Sequence, residues 1–375
     1  MTTAMFAKRH LQRAAERGMS LIEVLVAVAI GLIGILIMTQ AYLTSDEFNR
    51  ATLGAGGAQT NGNVALFTLE REVRMAGYGI NHAGALGCGN INYYYDPDYS
   101  GNLGGTMPNI TLAPVVITSV AGAPPTVPDQ IKIMYATGEV RSIPSSLSDT
   151  MPSASSELNV DGVDTFNIND MVLLVNDGPP KECTMVQVTQ VQSAAGKLQH
   201  NPGGSAPFNP PGAGLFPAYV KDDLVFNMGN PIVRTYSIAN ASSLHVQEMP
   251  FSTGTGITDL DLVDGIVDLR AQYGRDTDGD GDVDVYSATF PSFPGPPTAA
   301  EWQQVIAVRV GVVARVGNYE KPTGANCDAT TLNPTWQGGT FGWTDLTVVT
   351  NQARCYRYRV FETTIPIRNM IWRYV

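Results

Sequence analysis

The densest chemistry in the chain is the run Asp276-Thr277-Asp278-Gly279-Asp280-Gly281-Asp282-Val283-Asp284. It places oxygen-bearing side chains at loop positions 1, 3, 5 and 9, with Gly281 at position 6 and Val283 at position 8, the spacing of an EF-hand-type calcium loop. Alternate carboxylates converge on one point when glycine permits the sharp turn, and without a cation they repel one another. Ser287 stands at position 12, where a bidentate glutamate is expected, and the flanking residues read as strands rather than helices. The expectation is a hairpin loop in which Asp276, Asp278, Asp280, Asp282 and Asp284 hold Ca2+ weakly, in the range of about 0.1–1 mM, with water or another chain completing the shell. The alternative is an acidic, solvated turn.

Glu23 is conspicuous for the opposite reason, because it is a lone carboxylate in an apolar run. Lys8, Arg9, Arg13 and Arg17 precede Gly18-Met19-Ser20-Leu21-Ile22-Glu23, and Val24 to Ser45 carries no charge. Counted with Met19 to Ile22, this makes roughly 25 residues of helix, about 37 Å, enough to span a bilayer with the basic end held on the cytoplasmic side. A secretory signal peptide has an apolar region of only about 7–15 residues and a small-residue cleavage site, and neither feature fits. A carboxylate inside such a span costs on the order of 2.5–3.5 kcal/mol near the bilayer centre and less near its edge, so it calls for a partner. No cation lies within helical reach after Gly18, so the partner is expected outside the chain or created by cutting it.

The remaining candidates narrow the function by exclusion. Cys88, Cys183, Cys327 and Cys355 show neither C-x-x-C spacing nor histidine neighbours, which speaks against zinc and thiol redox chemistry and for disulfides in an oxidising compartment. Three pairings are open. Cys327 with Cys355 is favoured because it closes a loop late in the chain, and Cys88 with Cys183 then follows by elimination. His10, His82, His200 and His245 are dispersed, Gly254-Thr255-Gly256 lacks the third glycine of a dinucleotide fingerprint, and neither a phosphate-binding P-loop nor a nucleophile elbow occurs, so no enzyme is expected. A net charge of −11 argues against nucleic acid as a partner. Arg354, Arg357, Arg359, Arg368 and Arg373 make the C-terminus locally basic and read as solvated faces of strands. Tyr93, Tyr94, Tyr95 and Tyr99 form either a contact surface or ordinary packing.

The elements that must position these residues divide into helix and sheet. Leu66, Leu69, Val73 and Ala76 recur at helical spacing between Glu70, Arg71, Glu72 and Arg74, so the membrane helix is expected to continue as an amphipathic helix, stopped at Gly77. Gly54, Gly56, Gly57 and Gly62 each cost about 1 kcal/mol in a helix interior, and the helix is expected to bend or loosen there. After residue 80, residues 129–137, 170–175, 183–191, 265–273, 305–316 and 356–367 read as strands. In Ile306, Val308, Val310, Val312 and Ala314 one parity is small or apolar, while Arg309 and Arg315 fall on the other, as expected for a strand with one packed face. Residues 194–218 read as a long surface loop. Hydrophobic residues at 44% suffice for a large core, while charged residues at 15% sit well below the usual level of about 25%.

Gly18 followed by Met19-Ser20-Leu21-Ile22-Glu23-Val24-Leu25 resembles the class III signal of type IV prepilins and pseudopilins. The resemblance implies that a prepilin peptidase cuts after Gly18 and methylates the new amine of Met19, and that Glu23, then the fifth residue, pairs with a subunit's terminal amine during filament assembly. Met19 stands where phenylalanine is usual, and Gln40 where the stem often carries proline. Leu66-Phe67-Thr68-Leu69-Glu70-Arg71-Glu72-Val73-Arg74-Met75-Ala76-Gly77-Tyr78, with Trp302 to Val316 and Tyr356 to Asn369, is similar to the PilW-like minor pilins, a group related to the J-type minor pseudopilins of type II secretion. The implied architecture is α+β: a leader peptide (1–18), a transmembrane helix (19–45), an amphipathic stem helix (46–79) and an antiparallel β-rich head (80–375). Such a protein would sit in the inner membrane with its head in the periplasm, then join other minor pilins and the major pilin near the tip of a surface pilus, where a tip adhesin is a further candidate partner. The competing expectations are a J-type minor pseudopilin, a membrane-anchored calcium-dependent binding protein that never polymerises and, behind both, an anchored enzyme.

Overall fold

The computed structural model describes residues 19–80, 82, 86–89, 91–96, 109–119, 126–138, 144–151, 157–176, 182–202, 206–210, 217–240, 242–251, 257–322 and 324–371. Helix α1 (Leu21–Met75) comes first. The strands that follow are β1 (Ile91–Tyr93), β2 (Val115–Thr118), β3 (Gln130–Tyr135), β4 (Ser145–Ser146), β5 (Leu158–Asn159), β6 (Met171–Val175), β7 (Cys183–Gln187), β8 (Gln190–Gln192) and β9 (Lys197–Gln199). Next come β10 (Leu224–Gly229), β11 (Ile232–Ala239), β12 (Ser243–Glu248), β13 (Thr258–Asp264), β14 (Ile266–Arg275) and β15 (Val285–Ser287). Helix α2 (Ala299–Gln303), β16 (Val305–Arg315), β17 (Thr335–Trp336), β18 (Gly339–Thr340), β19 (Tyr358–Pro366) and α3 (Arg368–Ile371) complete the order. A long N-terminal apolar helix with a β-sheet-rich globular head makes the fold α+β.

The chain forms two compact units, Met1–Leu53 and Gly54–Val375. In the first, the apolar side chains from Met19 to Met38 are exposed, and the segment is long and apolar enough to cross a membrane by length and composition. In the second, Ala58, Gly62, Ala65, Leu69 and Val73 form the buried stripe of α1 and share one core with β14 and β16. Residues Gly54, Gly56, Gly57 and Gly62, where the helix was expected to bend or loosen, all lie within the helical span of α1. Two of these glycines are contact positions. A Cβ on Gly54 would stand 2.8 Å from Val316, and one on Gly62 would overlap the Phe361 ring. The propensity cost is accepted because only glycine lets the helix approach the sheet so closely. At its end, Gly77 takes a φ of +81° and donates to Met134 O, while Asn369 Nδ2 donates to the carbonyls of Met75 and Ala76, satisfying groups a helix terminus leaves open.

The sheet under α1 has the order β15-β14-β16-β19, antiparallel throughout, with Leu269 opposite Val312 and Val310 opposite Thr363. A second sheet, β13-β12-β11-β3-β2, adds Ile131, Ile133 and Tyr236 to the same core. A third, β1-β7-β6-β10-β4, has its own cores around Leu173 and Val172. Residues 183–191 do not form one strand, since β7 ends at Gln187 and β8 turns away to pair with β9. Within residues 194–218, expected as loop, β9 pairs with β5 and β8, and Phe208 is buried against Tyr95 at 5.2 Å between ring centroids. Cys88 is bonded to Cys183 with Cα atoms 6.1 Å apart, and Cys327 to Cys355 at 4.9 Å. The second bridge closes the excursion between β16 and β19, which folds Trp336 and Phe341 onto the face of the sheet opposite α1, against Gly311.

Candidate functional site

Helix α1 opens with a reciprocal pair of hydrogen bonds. Ser20 N–H donates to Glu23 Oε2 at 2.9 Å, and Glu23 N–H donates to Ser20 Oγ at 3.3 Å. This is a capping box, in which each side chain satisfies an amide that the first helical turn cannot. A carboxylate in the first turn also opposes the positive end of the helix dipole, so the location of Glu23 is cheaper than the middle of the span. Its charge nonetheless meets no cation among the described residues. Gly18 and the basic leader residues lie outside the described residues, and Met19 is exposed.

The acidic run forms the turn between β14 and β15. Arg275 pairs with Val285, so the loop is a hairpin, as its flanks imply. Asp276 is only 2% exposed and organises the turn, its Oδ1 accepting from Gly279 N–H at 2.6 Å and its Oδ2 from Gly281 N–H at 3.0 Å. Gly279 and Gly281 take φ values of +84° and +92°, which the sequence meets with glycine. Asp276, Asp278 and Asp284 each bring one carboxylate oxygen within 4.8 Å of the others, while Asp280 and Asp282 lie outside that trio. The departure from the expected five-carboxylate set is local: Asp280 Oδ1 accepts from Asp282 N–H at 2.8 Å, a turn bond. The Asp280 amide favours ionised Asp278, but slight desolvation and the charges of Asp280, Asp284 and Asp276 together leave its pKa raised. Asp284 is lowered by the Thr277 hydroxyl and amide, both donating to Oδ2. Three convergent carboxylates fit part of the six-to-eight-oxygen shell of Ca2+, with backbone carbonyls and water left to supply the rest.

A family model described as Type IV Pilus-assembly protein W, PilW, matches residues 233–369, and one for the Prokaryotic N-terminal methylation motif matches residues 13–39. Together they support a PilW-like type IV minor pilin. Neither a curated protein nor a solved structure gave a significant match. The first match runs from β11 to α3 and includes the acidic hairpin, the Cys327–Cys355 bridge and Asn369. The second includes Gly18 and Glu23.

The head holds the C-terminal part of α1 through a polar centre that the sequence pattern does not reveal. Glu72, one of the charged residues between the apolar positions of the stem, has no exposed surface. Arg234 Nη1 donates to Glu72 Oε2 at 2.8 Å and its Nε to Glu248 Oε2 at 2.8 Å, while Arg71 and the Tyr135 hydroxyl also donate to Glu72. Desolvation lowers the Arg234 pKa, but the bonds to Glu248 and Glu72 outweigh it and hold the guanidinium above its ordinary value. Burial, followed by the Glu72 charge, pushes the Tyr135 hydroxyl up to about 12. The C-terminal arginines are not all solvated either. Arg354 is buried and donates to the carbonyls of Cys327 and Leu346, pinning the excursion beside its disulfide. Arg357 pairs with Glu320 and Arg359 with Gln59, Arg368 is exposed, and Arg373 lies outside the described residues. Tyr93 and Tyr95 pack on Phe251 and Phe208, and Tyr99 lies outside the described residues.

Proposed function

We propose that this chain is a minor pilin that takes part in priming type IV pilus assembly and ends near the pilus tip. Prepilin peptidase cuts between Gly18 and Met19, the protein waits in the inner membrane with its head in the periplasm, and Glu23 pairs with the terminal amine of a neighbouring subunit as other minor pilins, the major pilin and a tip adhesin assemble around it. Its role is structural, as in pilin-family domains generally, rather than enzymatic. The observation that supports this reading best is the pairing of the methylation motif over residues 13–39 with the PilW match over residues 233–369. Glu23 adds to it, since its capping bonds leave a net charge for an external cation. Glu23→Ala should leave membrane insertion intact, because a costly carboxylate is gone. The amount of this subunit in sheared pili should fall sharply against wild type. Unchanged incorporation would remove Glu23 from assembly.

We also propose that the β14–β15 hairpin binds calcium through Asp276, Asp278 and Asp284, with Asp280 and Asp282 adding charge. A ligand that binds only the folded state stabilises by RT ln(1 + [L]/Kd), about 1.4 kcal/mol at ten times Kd. The melting temperature of the purified protein should therefore rise as calcium passes through the millimolar range. Replacing Asp276, Asp278 and Asp280 with Asn should weaken that response, and magnesium should substitute poorly because it demands tighter octahedral geometry. Equal shifts with calcium and with sodium chloride at matched ionic strength, in wild type and triple variant alike, would reduce the loop to an acidic turn.

A further inference from the structure

Where β14 meets the start of β3, two buried carboxylates share one buried guanidinium. Asp268 has no exposed surface, and Asp129 and Arg270 are buried beside it. Arg270 Nε stands 3.0 Å from Asp268 Oδ1, and Nη1 stands 3.4 Å from Asp129 Oδ1 while donating to the Val127 carbonyl at 2.8 Å. Among the described residues Arg270 is the cation that acts on both acids, so the cluster carries one net negative charge inside the protein. An uncompensated buried charge is costly.

The two acids are held by different parts of the head. Asp129 belongs to the seam between the two sheets, its Oδ2 accepting from Ala271 N–H at 2.9 Å and its N–H donating to Leu269 O. Asp268 Oδ2 accepts from Arg270 Nη2 at 3.1 Å and from the excursion between β16 and β19, through Gly342 N–H at 3.1 Å and Trp343 N–H at 3.3 Å. Its Oδ1 is buried and receives no directed hydrogen bond, although Arg270 Nε is near. The same stretch of the excursion packs Phe341 and Trp343 with Val267 and Val313, so its closure is what buries Asp268 on this face. The other neighbours supply no second charge. Val313 stands opposite Asp268 on β16, β19 brings Val360 and Tyr358, and Tyr273 lies in the field of Asp129. Burial raises both phenols, which stay neutral.

Desolvation pushes the Asp268 carboxyl up to about 6 against the pull of Arg270 and the two excursion amides, and it raises Asp129 in spite of the Ala271 amide and Arg270. A carboxyl that titrates higher when buried takes up a proton on closing. Closing is therefore favoured as the pH falls from above about 6 toward the ordinary carboxyl range near 4, and that gain is lost as the pH rises through about 6. Neither the assembly role nor the calcium loop uses these residues.

We propose that this cluster is an acid-tightened clasp: a proton taken up by Asp268 at mildly acidic pH holds the excursion more firmly over the sheet, and its loss at neutral pH lets the excursion open more readily and uncover Val267 and Val313.

The test is hydrogen exchange of the full chain in detergent micelles, read at the Gly342 and Trp343 amides by mass spectrometry with fragmentation and corrected for the intrinsic pH dependence of exchange. Between about pH 7.5 and about pH 5 the protection of both amides should rise about tenfold in wild type, the linkage expected for one carboxyl moved from its ordinary value to about 6 on closing. Both should stay less protected than Val310 in the middle of β16, because the excursion opens without the sheet unfolding. Asp268→Asn keeps the shape and removes the titration, so its protection should be flat over the same range. Asp129→Asn keeps Asp268 but leaves one carboxylate to one guanidinium, and its rise should be smaller than in wild type. If Asp268→Asn does not fold, the profiles of wild type and Asp129→Asn decide. A flat profile in wild type, a wild-type rise in Asp268→Asn, an undiminished rise in Asp129→Asn, or protection equal to that of Val310 would each overturn the clasp.

Discussion

Glu23 and Glu72 sit on the same helix and show two ways of accommodating a carboxylate. Glu72 has no exposed surface and is answered within the chain by Arg234, Arg71 and Tyr135. Glu23 is exposed, bonded only to Ser20 and without a counter-ion among the described residues. A buried charge paired inside the fold organises that fold, whereas a charge left open in an apolar segment asks for a partner elsewhere. The glycines around these acids divide the same way. Gly54 and Gly62 are filled against Val316 and Phe361, while Gly31, Gly34, Gly56 and Gly57 have nothing within 4 Å of a built Cβ.

The contrast is most readily broken at Arg234. Arg234→Met should destabilise the head by about 3–5 kcal/mol, because it leaves Glu72 buried with its main partner gone. The double variant Glu72→Gln with Arg234→Met should recover much of the loss, which denaturant unfolding of the wild type, each single variant and the double variant would read as coupling. Additive losses would mean that the pair is incidental. A smaller effect separates the glycines. Gly62→Ala should cost about 1–3 kcal/mol by overpacking against Phe361, while Gly56→Ala should gain up to about 1 kcal/mol of helix propensity. Melting curves with the same sign for both would remove the distinction between contact and open glycines.

Much of the fold was legible wherever one period dominated a segment. The alternation in 305–316 becomes β16, the run 356–367 becomes β19, and Leu66, Leu69 and Val73 mark the packed side of α1. What escaped depends on partners far away in the chain. Arg234 reaches Glu72 across 162 residues, and Asn369 caps carbonyls 293 and 294 residues earlier, so neither leaves a local signal. The glycines of α1 looked like weaknesses because their cost is local and their benefit, a close approach to the sheet, is tertiary. Strand β13 was obscured because Asp259 and Asp261 replace apolar residues on an edge strand, where their partner is His245, with Asp261 Oδ1 2.9 Å from its Nδ1. At the candidate sites, Glu23 and the acidic loop announced themselves by composition. Their hydrogen bonds, the Ser20 capping box and the turn held by Asp276, required coordinates.

The central claim is that Glu23 belongs to a processed, assembling subunit, and the N-terminus of the mature protein tests it most directly. Mass spectrometry of this subunit recovered from sheared pili should show a chain beginning at Met19 and carrying one methyl group on its amine. A chain that retains the leader, or begins at any residue other than Met19, would contradict the account.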